Sequence, residues 1–513
     1  MSKAGGDRDP IDLDALRKQL ARKDTDAAPQ KREPVTLNPL ARQVANQLRG
    51  TSHSPNIVIG QLRLFEFVVL TVIGILISAL AVPDAFMSRI ALLAICVWNG
   101  AFCSILLQLT DSYQLPSLRR PLDTLPRIQG SLLASFVLTS VFLPTGSYTW
   151  QTLGLWYGIS AVFLLLERII VGLAIRHWGR NGVMERRAVI VGGGQAAKDL
   201  IRSLEQHDND IRICGIFDDR KSARSPEVVA GYPKLGTFAE LVEFARLTKL
   251  DMLIISIPMS AEARILELIR QLWVLPVDIR IAAHANKLRF RPRSYSHIGK
   301  VPMLDVMDKP LRDWDSVAKR LFDVVFSIIC IAILWPVMLG AAIAVKSTSK
   351  GPILFKQKRH GFNNETINVW KFRSMYTEMS DPTAMKAVTK NDPRVTPVGR
   401  FLRKSSIDEL PQLINVLMGD LSLVGPRPHA VHAQTGDLKY TEVVEHYFAR
   451  HKVKPGVTGW AQINGWRGEI DHGDKIKYRT AHDLYYIENW SLLLDLKILV
   501  LTPIRLLKSE NAY

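Results

Sequence analysis

A chain of 513 residues exceeds what a single hydrophobic core usually supports, so several domains are expected. Hydrophobic residues make up an ordinary 47% of it, but they gather in long uninterrupted runs, which excludes a wholly water-soluble protein. The formal net charge of +18 favours an anionic partner, namely a phosphate-bearing substrate, the anionic face of a membrane or nucleic acid.

The N-terminal third of the sequence predicts a tail followed by a membrane region. Residues 1–62 are predicted to be a flexible cytoplasmic tail, because they are charged and lack the apolar core and cleavage site of a secretory signal. Residues 63–177 are predicted to form a four-helix transmembrane region. Its apolar stretches lie near residues 64–82, 89–109, 128–144 and 154–175.

Basic residues set the predicted orientation of these helices. Arg119, Arg120 and Arg127 follow the second stretch, the third loop (LPTGSYTW) has no Lys or Arg, and the fourth stretch ends in RHWGRNGVMERR. Loops rich in Lys and Arg stay on the cytoplasmic side of a membrane. Both the tail and the exit of the fourth helix are therefore predicted to be cytoplasmic.

Residues 178–305 alternate strand-like and helix-like segments in a βαβ rhythm, which predicts a Rossmann-like α/β domain. Gly192, Gly193 and Gly194 lie between a predicted strand and a predicted helix, where a backbone can approach a pyrophosphate. Asp218 or its neighbour, at the end of the next strand, would then bind a ribose. The alternative is a tight structural turn in a domain that binds nothing essential.

A fifth apolar run at residues 324–345 is long enough to span a membrane, yet basic residues flank it on both sides. Pro336 lies in mid-run, where it removes a backbone hydrogen bond and kinks a helix. We therefore predict a re-entrant helix over about residues 318–346 that enters the inner leaflet, bends at Trp335 and Pro336, and returns. An ordinary fifth crossing is the alternative, and it would place the C-terminal third outside the cell.

The predicted catalytic domain, residues 306–513, contains the adjacent carboxylates Asp408 and Glu409. Attack of an anionic phosphate on a pyrophosphate is opposed by charge repulsion, and a carboxylate nucleophile would divide that reaction into two easier steps. Asp408 is the candidate nucleophile, and Ser405 and Ser406 are predicted to cap a helix that begins there. Glu409 is the candidate ligand of Mg²⁺, a hard cation that carboxylates and substrate phosphates bind.

Basic residues around this pair are candidates for neutralising substrate phosphates, namely Lys371, Arg373, Arg403 and Arg427. An ion-pair cluster is predicted at the membrane interface before the apolar run, from Lys319, Arg320 and Asp323. Alternatives remain open, because Ser406 and Glu409 also match a capping box. A basic cluster is often only a solvated or lipid-facing surface.

Long motifs in the same third carry a resemblance to a known family. They are the basic segment GPILFKQKRHGFNNETINVWKFRSM, the segment PVGRFLRKSSIDELPQLINVLMGDLSLVGPRP, KPGVTGWAQINGW and the terminal ENAY. Over about residues 315–513 they resemble the bacterial sugar transferase family, the monotopic polyprenyl-phosphate hexose-1-phosphate transferases. The upstream membrane helices and the Rossmann-like domain, which is similar to CoA-binding domains, match the large members of this family.

The resemblance implies a mechanism. An aspartate takes a hexose-1-phosphate from a UDP-sugar, UMP leaves, and undecaprenyl phosphate accepts the phosphosugar, with Mg²⁺ as cofactor. Glucose is the sugar it implies, with galactose as the competitor, in the first membrane step of exopolysaccharide or capsule synthesis. The enzyme would lie in a bacterial inner membrane among its lipids, with the catalytic domain on the cytoplasmic face. The oligomeric state stays open, a homo-oligomer included.

Two other classes of protein are alternatives. A membrane-bound nucleotide-sugar epimerase or dehydratase would use the Rossmann-like domain for redox chemistry. Such enzymes resemble short-chain dehydrogenases and need a Tyr followed four residues later by Lys, a spacing that none of the 12 tyrosines has. A nucleic-acid-binding regulator would need a helix-turn-helix or an aromatic-basic sheet, and neither pattern stands out. Nucleic acid is therefore not an expected partner.

Overall fold

The structure is a computed structural model. It describes residues 37–48, 54–81, 88–143, 147–180, 185–206, 211–220, 226–282, 296–298, 301–379, 392–430, 434–435, 438–439, 447–466 and 473–507. Most of the predicted tail and the terminal ENAY motif lie outside the described residues.

The first described helix, α1 (Pro39–Gln47), lies inside the predicted tail but packs against the sheet domain. Its small residues Ala41 and Ala45 are buried in the core of that domain. The backbone N–H of Asn38, the residue that caps the helix, donates to the carboxylate of Glu240 at 3.1 Å. The prediction of a flexible tail therefore does not hold for residues 37–48, because this short segment has a small-residue face that can be buried.

The four predicted apolar helices of the N-terminal half are confirmed as helices. They are α2 (Pro55–Ala81), α3 (Arg89–Leu109), α5 (Pro121–Ser140) and α6 (Ser147–Arg180), with the short α4 (Leu115–Arg119) between the second and third. By length and composition, four helices among the described residues can cross a membrane: Pro55–Leu80, Arg89–Leu109, Trp150–Trp178 and a later one, Asp313–Thr348. Helix α5 is not among them, since its first turns contain Asp123 and Arg127.

A buried ion pair holds the membrane helices together. The Arg168 guanidinium on α6 lies 2.8 Å from the Glu66 carboxylate on α2, and both side chains are almost fully buried. The Tyr113 hydroxyl donates to the same carboxylate at 2.5 Å. Because ions in an apolar bundle are stable only when they are paired, this cluster fixes α2 against α6.

The middle domain is an eight-stranded mixed sheet with the strand order β3-β4-β2-β1-β5-β6-β8-β7. The strands are β1 (Arg186–Val191), β2 (Ile211–Phe217), β3 (Val228–Val229), β4 (Tyr232–Gly236), β5 (Met252–Ile255), β6 (Asp278–Ala282), β7 (Ser296–Ile298) and β8 (Val301–Met307). Strands β4, β2, β1, β5 and β6 pair in parallel, as the βαβ rhythm predicted. Strands β3, β7 and β8 pair antiparallel at the edges.

Helices cover both faces of this sheet. They are α7 (Gln195–Glu205), α8 (Phe238–Leu247) and α9 (Glu262–Leu272). Along β1, Val189 and Val191 pack with α1, α8 and α9, whereas Ala188 and Ile190 pack with α7. Alternation along the strand therefore supplies two cores, one on each face of the sheet.

The C-terminal domain begins with the long helix α10 (Asp313–Thr348) and continues as short helices around small sheets. Strands β9 (Leu354–His360) and β10 (Thr366–Phe372) form an antiparallel hairpin, and β11 (Ser422–Val424) pairs in parallel with β14 (Gly456–Thr458). The remaining elements are β12 (Gln434–Thr435), β13 (Leu438–Lys439), α11 (Pro397–Ser405), α12 (Gln412–Met418), α13 (Trp460–Ile463), α14 (Gly473–Glu488) and α15 (Leu492–Leu507).

Helix α10 continues through Pro336 without a break in its helical assignment. Its middle is exposed and apolar, with Trp335 57% exposed, whereas both of its ends pack against the C-terminal domain. Near its start, Phe322 and Phe326 pack against one core, and near its end Val345 is buried in another. The helix is therefore continuous across Pro336, and the predicted bend and re-entry stay predictions.

The membrane helices contact the first turn of α10. The Asp313 carboxylate accepts from the side-chain amide of Asn56 at 2.7 Å and also from the hydroxyl of Ser54. The indole of Trp314 lies against Gly60, where an added Cβ would come within 2.2 Å of the ring. Glycine at this position thus allows the bundle to approach the helix that opens the C-terminal domain.

Candidate active site

The acidic pair lies in a turn between two short helices. Helix α11 ends at Ser405, Ser406 has a left-handed backbone with φ of 59°, and a 3₁₀ turn covers Ile407–Glu409 before α12 begins. The Ser405 hydroxyl donates back to the carbonyl of Phe401 at 2.9 Å, inside the helix it ends. A short 3₁₀ helix does begin after Ser406, but neither serine side chain caps it, so the predicted serine cap is wrong.

The Glu409 carboxylate is fully engaged by two cations. The Lys371 ammonium donates to Oε1 at 2.7 Å, and the Arg427 guanidinium donates to Oε1 at 2.6 Å and to Oε2 at 3.2 Å. Burial alone would raise the pKa of Glu409, but Arg427 and Lys371 outweigh it and hold that pKa well below its usual range. Glu409 is therefore charged at neutral pH, and its side chain does not form the capping box that the sequence allowed.

The neighbouring carboxylate of Asp408 differs from that of Glu409 in its pairing and in the direction of its pKa shift. It is only 7% exposed, and within the described part of the chain no hydrogen bond or ion pair engages its side chain. Burial raises the pKa of Asp408 to about 6, although Lys371 acts to lower it. An unpaired, partly desolvated carboxylate beside cations is suited to nucleophilic attack on a phosphate.

The position of Lys371 is fixed by a buried asparagine on α12. The Asn415 side chain accepts from the Trp370 backbone N–H at 2.9 Å and donates to the Asn368 carbonyl at 2.9 Å. These bonds attach the edge of strand β10 to α12 next to the acidic turn. Lys371 thereby reaches Glu409 from a rigid hairpin.

Arg359 belongs to the same cationic group, although the sequence suggested only a basic flank of the apolar run. It lies on β9, and its guanidinium donates to the carbonyl of Pro428 at 2.6 Å and to the side chain of Gln357 at 2.8 Å. Burial and the neighbouring Arg427 lower the pKa of Arg359 to about 10. The antiparallel pairing of β9 with β10, which only the structure shows, places Arg359 on the strand next to the one that carries Lys371.

A second group of residues that the sequence did not predict holds the backbone of Arg427 in place. The Arg450 guanidinium donates to the carbonyl of Arg427 at 2.8 Å and forms a buried ion pair with Asp483. His429 lies against Arg450, and burial together with Arg450 holds the pKa of His429 well below its usual range. These residues are far apart in the sequence, so only the fold brings them together.

Of the two other predicted phosphate-binding residues, Arg373 lies away from the acidic pair and Arg403 lies near it. The Arg373 guanidinium is buried and donates to the carbonyls of Ser349 and Val345 at the end of α10, at 2.9 and 3.4 Å. This side chain therefore satisfies the C-terminus of a helix. Arg403 is half-buried on α11 and acts on Asp408 through its charge.

The predicted cluster forms, with Lys319 and Asp323 buried in the C-terminal domain, and its position at a membrane interface stays a prediction. The Lys319 ammonium lies 2.7 Å from the carboxylate of Asp495 and 3.3 Å from that of Asp323. The Arg320 guanidinium donates to the carbonyls of Val416 and Leu417 at 2.6 and 2.7 Å. The cluster therefore attaches the start of α10 to α12 and α15.

The glycine turn of the sheet domain is closed by its own residues. Gly192 and Gly194 have positive φ of 99° and 97°, which favours glycine at both positions. The N–H of Gly193 donates to the Asp218 carboxylate at 2.7 Å, and Arg220 forms an ion pair with that carboxylate at 3.0 Å. Since the amide and the carboxylate bind each other, this geometry favours the structural interpretation of the turn.

The residues around Glu409 do not form a ready metal site. Both of its oxygens accept from Lys371 and Arg427. Among the described residues no group of three or more His, Cys, Asp or Glu side chains is placed to hold a metal ion. A divalent cation at Glu409 would have to displace an ammonium or a guanidinium group.

Family models match two parts of the chain. Residues 314–509 match the bacterial sugar transferase family, and residues 108–283 match a CoA-binding domain. The second match includes part of the membrane region as well as most of the sheet domain.

Curated relatives extend these matches over most of the chain. A UDP-glucose:undecaprenyl-phosphate glucose-1-phosphate transferase of Xanthomonas campestris pv. campestris is 35% identical over 421 residues, covering 81% of this chain and 86% of the relative. A protein of the same name from Escherichia coli K12 is 37% identical, over 70% of this chain and 75% of the relative.

Another relative is similar to a shorter part of the chain. It is a UDP-N-acetylgalactosamine-undecaprenyl-phosphate N-acetylgalactosaminephosphotransferase of Aeromonas hydrophila, 40% identical over 36% of this chain and 42% of the relative. The two longer relatives are thus similar to this chain over well beyond the length of its C-terminal domain. The chain therefore belongs to the bacterial sugar transferase family, and the prediction that it is an enzyme of that family is confirmed.

Proposed function

We propose that this enzyme transfers glucose-1-phosphate from UDP-glucose to undecaprenyl phosphate and releases UMP. The observation that carries the proposal is the contrast within the acidic pair, in which Glu409 is paired with cations while Asp408 is buried and has no ion pair among the described residues. The names of the long relatives, which specify UDP-glucose and undecaprenyl phosphate, support the choice of substrates. The place of the reaction as the first membrane step of exopolysaccharide or capsule synthesis is part of the same proposal.

In the first step an Asp408 oxygen attacks the phosphorus that carries glucose. A new bond forms between phosphorus and Asp408, and the bond between that phosphorus and the bridging oxygen breaks. UMP leaves with the electron pair. Lys371 and Arg427, which lie beside the pair in the structure, would stabilise the negative charge that develops on the phosphate oxygens.

In the second step an oxygen of undecaprenyl phosphate attacks the same phosphorus. The bond to Asp408 breaks, its carboxylate is restored, and the lipid carries glucose on a diphosphate. Two displacements avoid direct attack of one phosphate anion on an intact diphosphate ester. Glu409 keeps Lys371 and Arg427 in position through both steps.

Magnesium is proposed as the cofactor on chemical grounds. A hard cation is usually bound by one or two carboxylates together with substrate phosphates, and it would supply charge neutralisation for the diphosphate. Glu409 would join it only by giving up Arg427 or Lys371. No step above depends on that exchange.

We also propose that α10 is re-entrant in a bacterial inner membrane, with the catalytic domain in the cytoplasm. In support, both of its ends pack against the same domain while its apolar middle is exposed. Lys350→Cys, just beyond the helix, should react with an impermeant maleimide only from the cytoplasmic side. Gly146→Cys, in the loop predicted to be outside, is the matched control, and labelling of both from outside would overturn the topology.

The reaction is tested by incubating the purified protein with Mg²⁺ and radiolabelled UDP-glucose, with and without undecaprenyl phosphate. Label on lipid together with release of UMP is the expected result, and UDP-galactose in parallel tests the sugar. UMP release without labelled lipid would point to another acceptor. Absence of both signals would overturn the proposal.

A further inference from the structure

A cleft of about 1050 Å³ lies between the sheet domain and the catalytic domain. It is lined on one side by residues 245–251 and by Pro276 and Val277, which precede β5 and β6, and on the other by the start of α10 and residues 452–454. It thus lies at the N-terminal edge of the parallel strands, whereas the glycine turn follows the C-terminal end of β1. Its size suits a ligand as large as a nucleotide.

The charge of the lining is predominantly positive. Seven cationic and three acidic side chains line the cleft. Two of the acids are already neutralised, Asp251 by Lys309 at 2.8 Å and Asp323 by Lys319 at 3.3 Å. Among the described lining residues Glu365 is the one acid that remains, and Arg246 pairs with Glu243, outside the lining, at 3.5 Å.

One of those cations, Lys452, is buried, and Glu488 acts on it only through its charge, without forming an ion pair. Its side chain is 8% exposed, and its ammonium lies 3.2 Å from the sulfur of Met307 and 4.6 Å from the centre of the Trp273 ring. Within the described residues no carboxylate forms an ion pair with it, and burial lowers the pKa of Lys452 to about 8. A buried ammonium without an ion pair is costly, so an anion entering the cleft would recover part of that cost.

Two neighbouring groups favour an anion with an organic part. Lys454 and Arg320 both line the cleft, and burial together with Arg320 lowers the pKa of Lys454. An anion between them would relieve this repulsion. Phe362 and Trp490 add aromatic surface to the same lining.

We propose that this interdomain cleft binds a phosphorylated organic anion, with its phosphate against Lys452 and Lys454 and its apolar part against Phe362 and Trp490. The phosphate is the shared chemistry, and it can come from a soluble nucleotide or from the headgroup of an anionic phospholipid. Such a ligand would contact both domains and hold them together. The site is separate from Asp408, so it stands or falls independently of the proposed transfer reaction.

The test uses pyridoxal 5′-phosphate, an aldehyde that carries a phosphate and forms an imine with accessible lysine amines. The intact protein in phosphatidylcholine nanodiscs is treated with this probe, reduced with borohydride and mapped by mass spectrometry. We expect labelling of Lys452 to exceed that by pyridoxal, which lacks the phosphate, by about tenfold, the equivalent of a modest ionic contact. Lys454→Ala should remove most of this preference, whereas Lys404→Ala, an exposed lysine elsewhere, should preserve it.

Two competition arms separate the sources of the ligand. Protection of Lys452 by ADP identifies a soluble nucleotide, and protection in phosphatidylglycerol nanodiscs identifies a lipid headgroup. Equal labelling by pyridoxal and its phosphate, or an unmodified Lys452, would overturn the proposal. Labelling that neither ADP nor phosphatidylglycerol reduces would overturn it as well.

Discussion

The catalytic domain contains two buried clusters of opposite charges, which differ in how completely their carboxylates are paired. In the first, Asp323 accepts from Lys319, from the Ser422 hydroxyl at 2.9 Å and from the Leu423 N–H at 3.0 Å. Asp495 accepts from Lys319, and also from Tyr486 at 2.7 Å and Trp490 at 3.1 Å. Every carboxylate in this cluster is held by fixed donors.

In the second cluster only one of the two carboxylates is held. Glu409 receives both cations, and Asp408, the next residue, receives neither. A polar cluster that is fully satisfied stabilises a fold, whereas one with an unsatisfied member retains a group that can react. The comparison therefore assigns structure to the Lys319 cluster and chemistry to Asp408, and the following experiments can break it.

The largest effect is expected from Asp408→Asn. Loss of the nucleophile should lower turnover by about 10⁴-fold or more and abolish the covalent phosphosugar adduct. Gel autoradiography after incubation with radiolabelled UDP-glucose measures the adduct, and Asp420→Asn, an exposed position nearby, is the control. An adduct that survives in Asp408→Asn would transfer the nucleophile to another residue.

The second largest loss of turnover is expected from Glu409→Gln. It leaves Lys371 and Arg427 buried without their counter-charge, so turnover should fall by about 10²- to 10³-fold while the protein stays folded. A Mg²⁺ titration of the same variant tests the metal proposal. An unchanged Mg²⁺ dependence would exclude Glu409 as a ligand.

A pH profile sharpens the comparison in the unmodified enzyme. Because the pKa of Asp408 is raised to about 6, this carboxyl is protonated and unable to attack below that pH. The rate should therefore rise about tenfold per pH unit up to roughly pH 6 and then level off. Glu409 stays charged over this range. A rate that instead levels off at about pH 4 would mean that Asp408 is not the group that titrates.

The smallest effect on turnover is expected from Lys319→Met. It leaves Asp323 and Asp495 buried without a cation, so stability should fall by about 3 to 5 kcal/mol. Thermal unfolding in detergent measures that loss. At a temperature where the variant is folded, kcat should change little, and a catalytic loss as large as that of Glu409→Gln would end the distinction between the clusters.

Local sequence patterns predicted the residues of the site that lie inside short recognisable motifs. The acidic pair, the basic strand with Lys371 and the Gly-Pro-Arg turn with Arg427 were all visible as motifs, and the structure brings them into contact. The role of Arg373 was not visible, because whether a cation faces a substrate or a helix end depends on where α10 finishes.

The sequence by itself determined the membrane helices, the βαβ order of the middle domain and the family, since apolar runs, alternation and long motifs are properties of consecutive residues. Only the tertiary structure decided which carboxylate is paired, that Arg359 and Arg450 support the site, and that Lys319 and Asp323 are buried. Those facts depend on contacts between residues up to 176 positions apart, as between Lys319 and Asp495. Burial and charge pairing arise only when such distant segments pack, which is why no local pattern predicted them.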